Sequence, residues 1–295
     1  MKKLFLSFWA AALMLAAGSL TSGALAAEPI AVKTDDAQLK VMTFNLRYAN
    51  EADPYPWSKR KSAVGEFLNE RKPDIFGTQE GLYIQLVDMV EAAPDYAWLG
   101  EGRDGGSKGE FMAIFYRKDR FKVLEYDHLW LSETPRTIAS KSWNTACTRM
   151  VTWARFEDKL TGKQFYFANT HLDHVSQEAR TKGSQVIASA IEKLNKNLPL
   201  IVTGDFNTSQ TNEQVHGIFE KLGMQDTWDV EGQKRGPLVN TFNNFKMPKK
   251  DGVRIDWIFV RPADTKVLSS EIVLPVEGEI WLSDHSPVIS VIELP

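Results

Sequence analysis

Pro199-Leu200-Ile201-Val202-Thr203-Gly204-Asp205-Phe206-Asn207 decides how the chain is read. The first six residues form a short, β-branched apolar run, the composition of a strand buried on both faces. The run breaks into Asp205-Phe206-Asn207, a polar tip that a rigid strand can hold in one place. An Asp-x-Asn after a strand is most often a plain turn, so its weight depends on its company. The same construction recurs along the chain. Thr43-Phe44-Asn45 closes one apolar run, Gln79-Glu80 a second and Asn169-Thr170-His171 a third, while Arg254-Ile255-Asp256-Trp257 and Ser283-Asp284-His285-Ser286 adjoin two more. Polar groups at the ends of several strands can converge on one mouth.

Working outward, strands are expected over residues 39–45, 74–80, 111–116, 149–156, 164–171, 254–260 and 287–294. Helices are expected over 57–72, where Val64, Phe67 and Leu68 share one face, and over 82–93, closed by Pro94. A third, 177–197, carries Val186, Ile187, Ala190, Ile191 and Leu194 on one side, and a short fourth covers 213–222. The glycine-rich stretch 100–110 reads as a loop. With no repeat or linker, residues 39–295 read as one α/β domain of two packed sheets with helices outside.

The chain of 295 residues is 43% hydrophobic, enough for a sizeable core without a staple. Its single cysteine, Cys147, excludes an intrachain disulfide and a thiolate cluster for zinc, and reads as a small buried hydrophobe. Lys2 and Lys3, the apolar run 4–17 and Ala24-Leu25-Ala26 read as a signal peptide over 1–26, followed by an exposed lead-in over 27–38. Export to the periplasm or beyond is expected, as a monomer with no stable membrane insertion after cleavage. The formal charge is -3, and -5 once two lysines leave with the leader, 33 bases then facing 38 acids. That excludes a broad basic surface for gripping duplex nucleic acid but leaves room for a local basic cleft.

The residue types at the strand ends suit metal-assisted hydrolysis of a phosphate ester. Mg²⁺ takes oxygen ligands and keeps several waters. Glu80 can supply the main carboxylate, with Asn45 and Asp284 helping directly or through water. Asp205 and Asn207 can hold the attacking water, and His285 with Asp205 or Asp256 can take its proton. His171, Asn207 and Arg149 can donate to the growing negative charge. Ser283-Asp284-His285 is not a serine triad, since consecutive residues rarely orient so and no G-x-S-x-G elbow exists.

Six motifs in order, Phe44-Asn45-Leu46-Arg47, Gln79-Glu80, Thr170-His171-Leu172, Gly204-Asp205-Phe206-Asn207, Arg254-Ile255-Asp256-Trp257-Ile258 and Ser283-Asp284-His285-Ser286-Pro287-Val288, resemble the endonuclease/exonuclease/phosphatase superfamily. The resemblance runs from about Lys40 to the C-terminus and is nearest to exported members related to the deadenylase branch. It implies a four-layer α/β sandwich and dependence on Mg²⁺, with Mn²⁺ able to substitute. It implies Glu80, Asn45 and Asp284 on the metal side, Asp205 and Asn207 orienting the nucleophile, a His285–Asp256 dyad and a phosphate-binding His171. Tyr116 resembles the family's phosphate-contacting tyrosine, and Arg149 a cleft arginine found in some members. Arg103 and Glu110, in the glycine-rich loop, and His174 are further candidates for substrate binding. The leading substrate expectation is a phosphodiester, with nucleic acid among the candidates. A small phosphomonoester, or a lipid or glycan phosphodiester, is the second. A non-catalytic binding module on the same fold ranks last, because every metal and histidine position is filled.

Overall fold

The computed structural model describes residues 37–294 apart from 231 and 264, so the signal peptide and nearly all of the lead-in lie outside the described residues. Along the chain come β1 (Gln38–Asn45), α1 (Trp57–Arg71), β2 (Ile75–Gln79), α2 (Tyr83–Ala92), β3 (Tyr96–Leu99) and β4 (Ile114–Arg117). Then follow β5 (Phe121–Trp130), β6 (Met150–Asp158), β7 (Gln164–His171), α3 (Gln177–Ile191), β8 (Leu200–Asp205) and α4 (His216–Lys221). The rest are β9 (Gln225–Asp226), β10 (Lys234–Arg235), β11 (Asp256–Val260), β12 (Lys266–Ile272), β13 (Val276–Glu277), β14 (Ile280–Trp281) and β15 (Val288–Glu293).

Local chemistry sets the helix ends. Residue Lys72, left-handed at φ 46, ends α1, and the Pro73 that follows bars continuation. Ser176 caps α3 by accepting from the Ala179 N–H, with Glu178 in the first turn. This helix stops at Ile191, short of the expected 197. There the four-residue hydrogen bonds give way to Lys193→Ala190 and Leu194→Ile191 turns.

Seven strands form one sheet in the order β10-β12-β15-β1-β2-β4-β3, and six form another in the order β5-β6-β7-β8-β11-β9. Leu39, Val41, Ile75 and Ile114 of the first sheet pack against Phe156, Phe165, Phe167, Ile201 and Ile258 of the second. On the outer face of the first sheet, Val64, Phe67, Leu86 and Met89 from α1 and α2 cover Met42, Phe44 and Phe76. On the outer face of the second, Ile187, Ile191 and Phe219 from α3 and α4 cover Val151, Val202 and Phe259. The result is the four-layer sandwich that the family resemblance implied.

Register brings the polar tips to one end. Strands β1 and β2 are parallel, with Asn45 opposite Gln79, and β7 and β8 are parallel, with His171 opposite Asp205. Strand β11 is antiparallel to β8 and starts at Asp256, opposite Asp205. Strand β15 runs antiparallel to β1, so the 283–285 segment before it lies at the same end. Just below, the core between the sheets turns polar. Gln79 Nε2 donates to Thr43 Oγ1 (3.1 Å) and Asn169 Oδ1 (2.7 Å), and Asn169 Nδ2 donates to the Thr78 and Ala113 carbonyls at 2.7 and 3.0 Å. Only glycine fits at position 77, where an added Cβ would lie 2.3 Å from both Asn169 Oδ1 and Thr203 Oγ1.

Candidate active site

The strand ends open into a cleft of about 790 Å³ lined by Glu80, His171, Asp205, Asn207, Asp284 and His285, together with Arg47, Arg103, Glu110, Cys147, Arg149 and His174. At its floor is Asp205. Its Oδ1 accepts from the Asn207 N–H at 2.9 Å and its Oδ2 from Asn45 Nδ2 at 2.9 Å. The His171 and His285 Nε2 atoms stand 3.5 and 3.8 Å from Oδ2. Burial, reinforced by the neighbouring Asp256 and opposed by His285, raises the Asp205 carboxyl to about 7.

His285 Nδ1 is 2.9 Å from Asp256 Oδ2, and both residues are buried. Burial alone would lower the imidazole's pKa. Asp256 and Asp205 outweigh it and hold the group well above the usual histidine range, so His285 is protonated at neutral pH. Ser283 acts only in support, its hydroxyl donating to the Asn45 carbonyl at 2.6 Å and accepting from the His285 N–H. His171 differs. Burial first, then Arg149 and Arg103, push its pKa well down, so it is neutral. Asn207 Nδ2 donates to the Leu172 carbonyl and to His171 Nε2 at 3.0 and 2.9 Å, which leaves the imidazole proton on Nδ1. Among the described residues that buried N–H has no acceptor, nor do Arg149 Nε and Nη1. Orphaned buried donors of this kind suit an anion.

Opposite lies an acidic wall. Glu80 sits left-handed at φ 61, next to Asp284, and Asn45 Nδ2 reaches Glu80 Oε1 at 3.1 Å. Burial raises Asp284, and the Glu80 charge raises it further. Two neighbouring carboxylates, with no thiolate or imidazole pair between them, fit a hard divalent cation. Asn45, fully buried, does not line the cleft; it bridges Glu80 and Asp205 from below. Asp205, Asp256 and His285 also present atoms within 4.8 Å of one another. Their internal His–Asp hydrogen bond marks them as a proton-handling group instead.

The third wall is built by Asp173, which the sequence left unmarked. Its carboxylate accepts from Thr145 Oγ1, Ala146 N, Val175 N and Ser176 N and lies 3.6 Å from Arg149 Nε. Burial would raise this carboxyl; the hydrogen bonds from Ser176, Thr145 and Val175 outweigh it and hold it at about 2. Arg149 Nη2 donates to His174 Nδ1 at 2.9 Å. Arg103 and Glu110 close the wall as a pair at 2.6 Å, steadied by Trp130 Nε1 on the Arg103 carbonyl.

Two expectations are corrected. Tyr116 pairs with Ile75 at the opposite end of β2 from Glu80, and its ring packs on Phe156 between the sheets, so it does not reach the cleft. Cys147 is not a buried hydrophobe but a half-buried lining residue. Besides Asp173, the sequence reading missed Arg47, Asp53 and Arg60. Buried Arg60 donates to the Tyr55, Leu46, Leu282 and Arg47 carbonyls, tying the segment after β1 to the one before β15.

The sequence profile of the endonuclease/exonuclease/phosphatase family matches residues 42–285. The chain belongs to that family. It is 37% identical to a family member from Bacteroides vulgatus, covering 88% of this chain and 99% of that one, with a TM-score of 0.82. It is also 37% identical to a mannosyl-6-phosphatase of Bacteroides thetaiotaomicron, covering 87% and 99%, with a TM-score of 0.80. The Nocturnin of Drosophila melanogaster is 23% identical over 184 residues, 56% of this chain and 26% of that protein. The chain spans between about a quarter and about half the length of the curated relatives it matches. Identity is thus higher to the bacterial proteins than to this Nocturnin. Family members are hydrolases of phosphate esters, generally dependent on a divalent metal.

Proposed function

We propose that the protein hydrolyses a sugar phosphomonoester with Mg²⁺ as its cation, Mn²⁺ being able to substitute, and that it does so after export. The observation that carries the hydrolytic reading is Asp205. A buried carboxyl raised to about 7, hydrogen-bonded to Asn207, stands between an acidic cation site and a His–Asp pair. Asn207 and Asp205 hold the attacking water, and Asp205 takes its proton. His285, kept charged by Asp256, stabilises the Asp205 carboxylate; the sequence reading gave His285 the base role. Neutral His171 and the free N–H groups of Arg149 donate to the phosphoryl oxygens. Glu80 and Asp284, steadied by Asn45, would hold the cation, which supplies charge neutralisation for the phosphoryl and leaving oxygens.

The sequence favoured a phosphodiester. The likeness to a mannosyl-6-phosphatase over nearly the whole chain shifts the proposal to a phosphomonoester. The basic start, apolar run and Ala24-Leu25-Ala26 support export. A panel of hexose 6-phosphates, p-nitrophenyl phosphate, bis-p-nitrophenyl phosphate and DNA with Mg²⁺ tests the class. Monoesters should exceed diesters at least tenfold in kcat/KM. The reverse order would return the protein to the diesterases.

A further inference from the structure

Arg47 has no part in the chemistry above, yet few cleft residues are held more firmly. Its backbone is left-handed at φ 53, a strained conformation for a residue with a side chain that persists where its surroundings enforce it. Here its N–H donates to Asn45 Oδ1 at 3.0 Å, and its carbonyl accepts from Arg60 Nη2 at 2.9 Å and Gln85 Nε2 at 3.0 Å. The guanidinium is fixed as well. Nε and Nη2 donate to the two oxygens of Asp53 at 2.8 and 2.9 Å, and the Tyr48 ring lies 4.3 Å from the guanidinium carbon. Two of the five N–H groups are thereby used. Nη1 makes no hydrogen bond among the described residues. The nearest oxygen of Glu80 is 4.0 Å from Nη1, and that of Asp284 is 3.9 Å from Nε. The arginine is held just short of both carboxylates, with unused donors on the cleft beside the cation site.

We propose that Arg47 is the specificity-determining residue that reads the third terminal oxygen of a phosphomonoester and so disfavours phosphodiesters. The inference rests on the hydrolytic reading of the same cleft. A monoester carries three terminal oxygens and up to two negative charges. A diester has two and one, the third position bearing a carbon. With one oxygen on the Glu80–Asp284 side and one toward His171 and Arg149, a third oxygen is left for Arg47, which lines the same cleft. There a terminal oxygen accepts a charge-assisted hydrogen bond, while an ester oxygen accepts poorly and brings no charge. Because Asp53 and Tyr48 already fix the fork, little side-chain freedom is lost on binding.

The test uses Arg47→Ala and Arg47→Lys in the full chain, with folding checked by thermal melting. On p-nitrophenyl phosphate, kcat/KM should fall by roughly 10²-fold in Arg47→Ala, the scale of one lost donor to a transition-state oxyanion. On bis-p-nitrophenyl phosphate the loss should stay under about tenfold. Arg47→Lys keeps the charge but not the fork, so it should recover only part of the monoester rate. Calorimetry gives a readout independent of turnover. At saturating Mg²⁺, inorganic phosphate should bind Arg47→Ala at least tenfold more weakly than wild type, with dimethyl phosphate changed less than threefold. Equal losses on the two esters and the two anions would show that Arg47 acts through the cation site or the fold, and no loss on either would make it a spectator. A wild type that binds phosphate through Arg47 but turns over no monoester would sink the proposed function and leave this inference standing.

Discussion

Asp205 and His285 stand 3.8 Å apart with their proton affinities both raised, Asp205 to about 7. A general base works only when deprotonated, so activity is lost as pH falls through its pKa. A bound cation stabilises the carboxylate, so the acid limb of kcat/KM should fall between about 4, the ordinary aspartate value, and 7. His285, with its pKa raised by Asp256 and Asp205, should keep its charge to higher pH than an ordinary histidine, placing the alkaline limb higher. A pH–rate profile of wild type and Asp205→Asn checks the assignment: the variant should lose activity by roughly 10²-fold or more. Activity level down to pH 4, or an unchanged acid limb in a still-active Asp205→Asn, assigns the base elsewhere. At this scale the motif residues were legible because their chemistry is written in their types. Arg47, Asp53, Arg60 and Asp173 were not. Each owes its importance to partners brought close only by folding, as Arg60 does to the Leu282 carbonyl 222 residues away.

Strands that present the motifs were readable because they are apolar runs buried on both faces, as β8 is throughout. Strand β5 escaped notice for the opposite reason. It is an edge strand with a register shift between Val123 and Glu125 that puts Glu125 and Tyr126 side by side on exposed positions, so no clean alternation survives. Strand β12 hides in Ser269-Ser270, whose buried hydroxyls look like a turn in sequence but pack inside; Ser270 Oγ meets Ser290 Oγ at 2.9 Å. Tyr116 failed at this scale too, because its place was set by the register of β4 against β2. The polar bridge between the sheets gives a stability prediction. Asn169→Ala leaves the buried Thr78 carbonyl without its side-chain donor, at about 1–3 kcal/mol, and costs Gln79 Nε2 and the Ala113 carbonyl one partner each, Thr43 Oγ1 and the Thr78 N–H remaining to them. Urea denaturation should show a loss of at least about 2 kcal/mol, and a loss below 0.5 would mean that the bridge is replaceable. The 100–110 loop offers a second test. The Arg103–Glu110 pair lines the cleft, and a role in gripping the sugar predicts that Arg103→Ala reduces kcat/KM on a hexose 6-phosphate far more than on p-nitrophenyl phosphate. Equal losses would place Arg103 in the catalytic core.

Across the whole molecule, the two sheets place two kinds of chemistry face to face. The first sheet's β1 and β2, with the segment before β15, supply the acidic wall of Glu80 and Asp284; β7, β8 and β11 of the second supply His171, Asp205 and Asp256. The layer order followed from the motif resemblance. The pairing of the walls needed register, which no single segment specifies. Our central proposal is that these walls hydrolyse a phosphomonoester only when Glu80 and Asp284 hold a divalent cation. The most direct measurement is kcat/KM on a hexose 6-phosphate for enzyme stripped with EDTA, followed as Mg²⁺ is added back. The account predicts a loss of at least about 10³-fold on stripping, a saturable return with Mg²⁺, and a return shifted to higher Mg²⁺ in Glu80→Ala. Full activity of the stripped enzyme, or a Glu80→Ala titration that overlays wild type, would contradict it.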